Sequence, residues 1–434
     1  MSSTGRIADE LSGKAMDVDI GRNLSLNEAA LADLGALDSL DSDLLRVAAY
    51  LYAADLAIKR HEREQHIRSI SVQVPVVNLH AFERVHSLVE EALTTLSRDN
   101  WSIVFTALTP GHSAPIRQWP KKRACTLLFS GGLDSFAGAV HLLGLHKDLT
   151  LVSHVTHNHP LEAAQTELAR ALCAFAHQPI KHVSVRVFGR NHRGMAFPAD
   201  QEREESQRTR SFLFTSLAAV AARLNGARRI VVMAENGQFA IHLPLSEARV
   251  GSFSTHTAHP RFLAIMEQIL RELFICEDLE LRNPFVHYTK GEVVGLLPEE
   301  LRRYIPRSIS CWRASRMPAS RTHCGVCIPC LCRRIATERH GIKIREFERD
   351  LLREDIGGLD DSDLGKRNLV DLCQFATVFS GPSKLSSDEE LCLEFPELLD
   401  PYIDKTEAIA MYRRFADEAL HVFGRYSRVK AILK

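Results

Sequence analysis

Apolar positions along this chain keep two rhythms. Residues 126–129 are β-branched or apolar without a break, as in a buried strand, and Phe136, Ala139, Val140 and Leu143 follow at helical spacing. The alternation then repeats. Residues 149–155 predict a second strand, 161–176 a helix, 180–188 a third strand, 211–224 a helix and 229–234 a fourth strand. A helix over 262–274, a short fifth strand at 283–286 and a helix from near Lys290 complete the series. Strands and helices alternating at these lengths predict an α/β fold, a doubly wound parallel sheet covered on both faces, with ligands at the strands' carboxyl ends.

The flanks carry different patterns. Residues 1–22 are polar and small and predict a loose segment, whereas 26–64 place apolar residues at helical spacing up to the charged run KRHERE. Residues 69–76 alternate like a strand, 81–96 predict a helix and 101–107 another strand. Three prolines mark 110–120 as a linker. Beyond residue 335 the pattern is helical, with stripes at 369–379, 391–398 and 406–423 and a turn-rich break at 380–387. The expected division is therefore an N-terminal α/β extension (1–120), a motif-bearing domain (121–334) and a C-terminal helical extension (335–434). Neither extension carries a chemical motif; interaction, oligomerisation or simple packing is expected of the first.

Composition narrows the class. The 434 residues exceed one ordinary core, and 45 % apolar with 25 % charged residues is typical of a soluble globular protein. Fifty-four basic and 54 acidic residues cancel, which argues against a protein built to coat nucleic acid. The segment MSSTGRIADELSG has neither a basic leader nor an apolar core, and no run approaches about eighteen apolar residues, so a cytoplasmic protein without a membrane partner is expected.

The chemistry concentrates where the first strand of the central series meets its helix, in the loop Ser130-Gly131-Gly132-Leu133-Asp134-Ser135. Two glycines let backbone N–H groups converge on an anion, the new helix presents its positive end, and two serines add hydroxyls. Phosphate is the expected guest. Asp134 is placed to cap the helix or to hold Mg²⁺ beside phosphates. This is not the Walker loop, whose wider glycine spacing and Lys-Ser or Lys-Thr occur nowhere here. Polar residues also end the second strand (His154, His157, His159) and the fourth (Glu235, Asn236, Gly237). A metal on the three histidines and a plain ligand rim are both open. Residues 189–210 suit a flap or a surface loop.

Cys324, Cys327 and Cys330 are spaced three apart, with Cys311 thirteen residues upstream. Four such thiolates suit a structural zinc, and Gly325 permits the tight turn between the first two. An iron–sulfur cluster accepts the same ligands. Cys332 is a spare, and the other five cysteines are scattered as core thiols.

The SGGLDS loop resembles the pyrophosphate loop (PP-loop) of the N-type ATP pyrophosphatases, which fold as adenine nucleotide alpha-hydrolase-like domains. With the cysteine cluster about 180 residues on, the Thr289-Lys290-x-Glu292 segment, and a helix from Arg210 (RSFLFTSLA) similar to the family's Arg-Asn-x-Leu-Phe helix, the chain resembles QueC, the 7-cyano-7-deazaguanine synthase family, over roughly residues 124–334. The resemblance implies ATP, Mg²⁺ and Zn²⁺ as cofactors and a deazapurine carboxylate as substrate. It implies adenylation of that carboxylate with release of pyrophosphate, then amide and nitrile formation. On the matching positions it places ATP on residues 130–135 with His157 and Asn158 near the adenine. Asp134, Lys290 and Arg210 become the catalytic candidates, and Cys311, Cys324, Cys327 and Cys330 the zinc ligands.

Three departures qualify the likeness. Ser211 stands where the family has Asn, the Ser-Gly-Tyr-Pro-Asp-Cys-Arg string that helps bind the purine is replaced by a longer stretch over 238–261 ending STHTAHPR, and both flanks are foreign to the biosynthetic enzyme. That architecture is similar to the QueC-like proteins of antiphage defence operons such as the Qat system, which implies protein partners from the same operon and an acceptor amine on one of them. A non-catalytic subunit that keeps nucleotide and zinc sites is the rival, and sulfur transfer to tRNA is disfavoured by the zero net charge.

Overall fold

The computed structural model describes residues 4–60, 67–109, 115–120, 122–146, 148–155, 159–231, 234–246, 257–314, 323–344, 347–380, 387–431 and 433. Contrary to the loose segment expected, residues 4–26 are built around β1 (Gly5–Asp9), β2 (Ala15–Val18) and β3 (Leu24–Leu26). Each of β1 and β2 carries few inward apolar side chains, which is why the pattern reads as loop. Tertiary contacts decide instead. Tyr50, on the helix α1 (Ser39–Ala57), accepts from the Gly5 amide at 3.2 Å and donates to the Val18 carbonyl at 3.0 Å. Its ring leaves no space for a Cβ at Gly5.

After α1 come β4 (Ser69–Val76), α2 (Leu79–Arg84), α3 (His86–Ser97) and β5 (Asn100–Ala107), so the single helix expected over 81–96 is two. The small sheet runs β2-β1-β4-β5, with β4 and β5 parallel as in any βαβ unit. The large sheet follows. Its elements are β6 (Lys122–Leu128), α4 (Leu133–Leu143), β7 (Asp148–Val155), α5 (His159–Ala176), β8 (Lys181–Gly189), α6 (Arg210–Asn225), β9 (Ala227–Val231), α7 (Gly237–Ile241), α8 (Pro260–Phe274) and β10 (Glu280–Arg282). The order β10-β9-β6-β7-β8-β3 is parallel except for β3, an antiparallel edge contributed by the N-terminal segment. The fifth strand therefore lies at 280–282 and not at 283–286. Asn283 turns the chain there, its Oδ1 accepting from Phe285 and Glu235 amides at 3.0 and 3.2 Å.

This order fixes where a ligand belongs. From β6 the chain winds outward through β7 and β8, then returns to β9 on β6's other side, so the strand order reverses between β6 and β9. The crevice outside their carboxyl ends is the topological switch point.

The two sheets share a core. Residues 211–225 of α6 are buried but for Phe214, as suits a helix apolar on all sides, and α1 packs along it. Buried charge crosses that seam: Arg223, 1 % exposed, meets Asp38 at 2.8 Å and Asp41 at 2.6 Å. The Arg117 carbonyl accepts from the same guanidinium. Arg223→Met leaves the buried Asp38 and Asp41 carboxylates with the more exposed Arg117, at 3.7 and 3.1 Å, as their remaining cation, and a loss of about 3 kcal/mol is expected in denaturant unfolding. Milder Asp41→Asn loss, with Asp38 still paired, is the matched control.

The C-terminal part comprises α9 (Lys290–Gly295), α10 (Glu299–Arg302), α11 (Ile328–Arg339), α12 (Leu364–Phe379), α13 (Asp388–Glu394), α14 (Lys405–Phe423) and α15 (Ser427–Lys430). Its apolar stripes, with Phe375, Phe379, Tyr412 and Phe415 at the centre, close a second core against α11. No helix among the described residues is long and apolar enough to cross a membrane.

Candidate active site

The SGGLDS loop lies at the switch point, and its own hydrogen bonds hold it open. Gly131 takes φ +77°, a conformation glycine adopts without steric cost, and a Cβ there would come within 2.9 Å of Gln165. Ser130 Oγ accepts from the Gly132 amide at 3.3 Å and donates to Ser135 Oγ at 3.1 Å, which in turn donates to the Gly132 carbonyl at 3.1 Å. Ile309 N–H fixes the far side on the Gly131 carbonyl at 2.9 Å. No side chain caps α4, so its first-turn N–H groups, unpaired by helix geometry, face the crevice as an anion site. Leu133 contributes backbone alone, since its side chain is fully buried in the core.

Asp134, in that first turn, reaches across to two partners. Lys290 Nζ lies 2.8 Å from both carboxylate oxygens, and Asn236 Nδ2 donates to Oδ2 at 2.9 Å. Lys290 opens α9 behind a capping box of Thr289 and Glu292, and its amide donates to Gln238 Oε1 at 2.8 Å. The ammonium, 3 % exposed, also stands 5.7 Å from the Phe239 ring centre. Sequence pattern singled out Asp134 and Lys290 156 residues apart; the fold brings them into contact.

Arg210 opens α6 at the same face. Its Nε is buried without a hydrogen-bond partner among the described residues, and its charge reaches Glu235, His154 and Tyr52. The N-terminal segment sets its position: Asp55 of α1 accepts from Thr209 N at 2.8 Å and Thr209 Oγ1 at 3.0 Å, and is itself paired with buried Arg68. His154 offers no metal site. Its ring is enclosed by Tyr52 and Phe214, its Nε2 meets the Val187 carbonyl at 3.0 Å, and burial lowers it to about 4, so it is neutral at pH 7. His157 and Asn158, expected near the adenine, lie outside the described residues, as do 247–256 of the rewritten substrate stretch.

Two further residues belong here: Glu235, noted in the sequence only as a polar strand end, and Glu418, which sequence reasoning passed over. Glu235 follows β9 in the chain and lies near Asp134; burial first, and the Asp134 charge second, push its carboxyl up to about 8. Glu418, on α14, accepts from Thr289 Oγ1 at 2.7 Å and leaves no room for a Cβ on Gly291. The C-terminal extension thus holds the turn that carries Lys290, assisted by Arg414 on Glu292 at 2.7 Å. No motif signals Glu418, because its role is contact with a segment 129 residues away.

Burial, with the charge of Glu292 adding, pushes Glu418 up to about 7 against its hydrogen bond from Thr289. The native state then keeps a proton that an unfolded carboxyl near 4.5 gives up, so this group's stabilisation is full below 4.5 and is lost as pH rises through 7. Glu418→Gln is expected to lose less melting temperature than wild type between pH 5 and pH 8.

The four cysteines converge as spaced. Cys311 and Cys327 Sγ are 3.9 Å apart, Cys324 and Cys330 4.0 Å, and all four lie within 4.8 Å of one another. Thiolates about 2.3 Å from a tetrahedral zinc sit about 3.8 Å apart, so the set fits zinc. Arg313 and Cys324 amides donate to Cys311 Sγ at 3.3 and 3.5 Å, the outer hydrogen bonds a thiolate wants. Cys332 is a buried thiol outside the set, its proton held by burial up to about 12. Among the described residues this is the one cluster of metal-ligating side chains.

A family model described as queuosine biosynthesis protein QueC matches residues 124–341, half of the chain. No curated protein matches it.

Proposed function

Because the chain belongs to the QueC family, we propose that it adenylates a 7-deazaguanine-type carboxylate with ATP and passes the acyl group to an amine. Members of this family use ATP and act on 7-deazaguanine compounds. The observation that carries the reading is the switch-point loop with Asp134 and Lys290 locked across it.

In this mechanism the triphosphate rests on the amides of α4's first turn and the hydroxyls of Ser130 and Ser135. A carboxylate oxygen attacks the α-phosphorus, the bond to the bridging oxygen breaks, and pyrophosphate leaves with both electrons. Lys290 and Arg210 would neutralise the charge that grows on those oxygens, where fixed cations in a dry site act most strongly. Mg²⁺, with Asp134 beside it, would screen the phosphates. Zinc on the cysteines would brace the 309–311 segment that holds Gly131.

For the setting we infer antiphage defence, with the acceptor amine on a partner protein, possession of two extra segments being the feature that separates this chain from a free biosynthetic enzyme. The test is incubation with ATP, 7-carboxy-7-deazaguanine and operon partners, reading AMP, pyrophosphate and partner intact mass. A partner heavier by one acyl group is expected. Free nitrile with unmodified partner returns the chain to ordinary cyano-deazaguanine synthesis, and ADP with phosphate, or no turnover, overturns the adenylating reading.

A further inference from the structure

Adenylation leaves one ionisable group of the crevice unemployed. Glu235 is fixed by its backbone, which accepts from Asn283 Nδ2 at 2.9 Å and donates to Asn283 Oδ1 at 3.2 Å. Its side chain is not: Oε2 is sealed from solvent and has no hydrogen-bond partner among the described residues. Asn236, fully buried, repeats the pattern. Because the Asp134 carboxylate only accepts, Asn236 must turn Nδ2 to it, and its Oδ1 is left without a donor among the described residues.

Two adjacent buried polar atoms without partners among the described residues are costly, and a native site recovers that cost from its ligand. Asn236 Oδ1, and Glu235 once ionised, call for a ligand group that brings hydrogens. Phosphate and carboxylate oxygens bring none, whereas an amine brings two or three. The groups facing Glu235 agree with that chemistry: Asp134 from α4 adds negative charge, while Lys290 from α9 and Arg210 from α6 are occupied with the phosphates in the reading above.

We propose that Glu235 and Asn236 receive the amine nucleophile, and that Glu235 takes the proton its nitrogen sheds as the amide forms. The assignment rests on the adenylation reading. As the C–N bond forms, the bond from the acyl carbon to AMP oxygen breaks, AMP leaves with the electron pair, and one N–H proton moves to Oε2. One carboxylate becomes a carboxyl and one acyl adenylate becomes an amide, so charge and atoms balance. With a carboxyl that ionises near 8, aminolysis by a nucleophile already neutral should climb as pH rises through that value.

Two half-reactions separate the roles. Exchange of labelled pyrophosphate into ATP, dependent on 7-carboxy-7-deazaguanine, reads adenylation, and trapping by hydroxylamine, a free base at neutral pH, reads aminolysis. Glu235→Gln is expected to lose aminolysis about 10²-fold or more beyond any loss of exchange, and to lose the rise toward pH 8. Formate, a diffusible carboxylate, is expected to restore part of the aminolysis of Glu235→Ala. Equal loss of both half-reactions overturns the assignment by making Glu235 part of adenylation, as a cation ligand would be, and so does retention of both. Absence of exchange in the wild-type protein overturns the adenylation reading instead.

Discussion

Lys290→Met is expected to lower pyrophosphate formation by about 10²–10³-fold, the usual scale for deleting one fixed donor from a site of developing charge. The ammonium is 3 % exposed and touches both Asp134 oxygens at 2.8 Å, so it is held in place before substrate arrives. A methionine of similar length keeps the packing on Phe239 and removes only the charge. Asp134→Ala is expected to abolish pyrophosphate release in a protein that remains folded, because the side chain sits at a strand's end outside the cores, where its work is to position charge. Arg210→Met should fall between the two. Pyrophosphate release under saturating ATP, alongside a melting curve for each variant, checks all three. A folded Asp134→Ala with full activity counts against the residue.

Cys324→Ser is expected to lose the metal and most of the native stability of the C-terminal half, for structural zinc binding contributes on the order of 10 kcal/mol. The damage should spread along a physical path. Backbone of residues 348 and 349 is bonded to His323 and Cys324 carbonyls at 2.9 and 3.3 Å, and Asn368 of α12 donates to the Val326 carbonyl at 2.7 Å. From α12 the contact passes to α14, whose Glu418 holds the turn before Lys290, while Ile309 braces Gly131 directly. Chelated protein should therefore lose pyrophosphate formation as well as zinc. Elemental analysis is decisive: one zinc per chain in wild type and in Cys332→Ser, none in Cys324→Ser, with iron in place of zinc overturning the ligand assignment.

Local patterns along the chain determined the α/β alternation, the glycine-rich loop and the candidate metal cluster, because each depends on residues close in sequence. The residues 130–135 and the cysteines at 311, 324, 327 and 330 carry their chemistry in their spacing, and the fold only closes distances already implied. Pairings over long separations were another matter. The strands over 5–18 were illegible because Tyr50 and β4 stabilise them, not their own composition. The meaning of both flanks was equally hidden: Asp55 fixes the start of the helix bearing Arg210, and Glu418 fixes the start of the one bearing Lys290. Neither carboxylate differs in sequence from a solvated one. Glu235 makes the same point at the candidate site, since its Oε2 becomes a buried atom without a partner among the described residues only when α4, α6 and α9 bring Asp134, Arg210 and Lys290 near it, and desolvation is a property of that enclosure which no single segment holds.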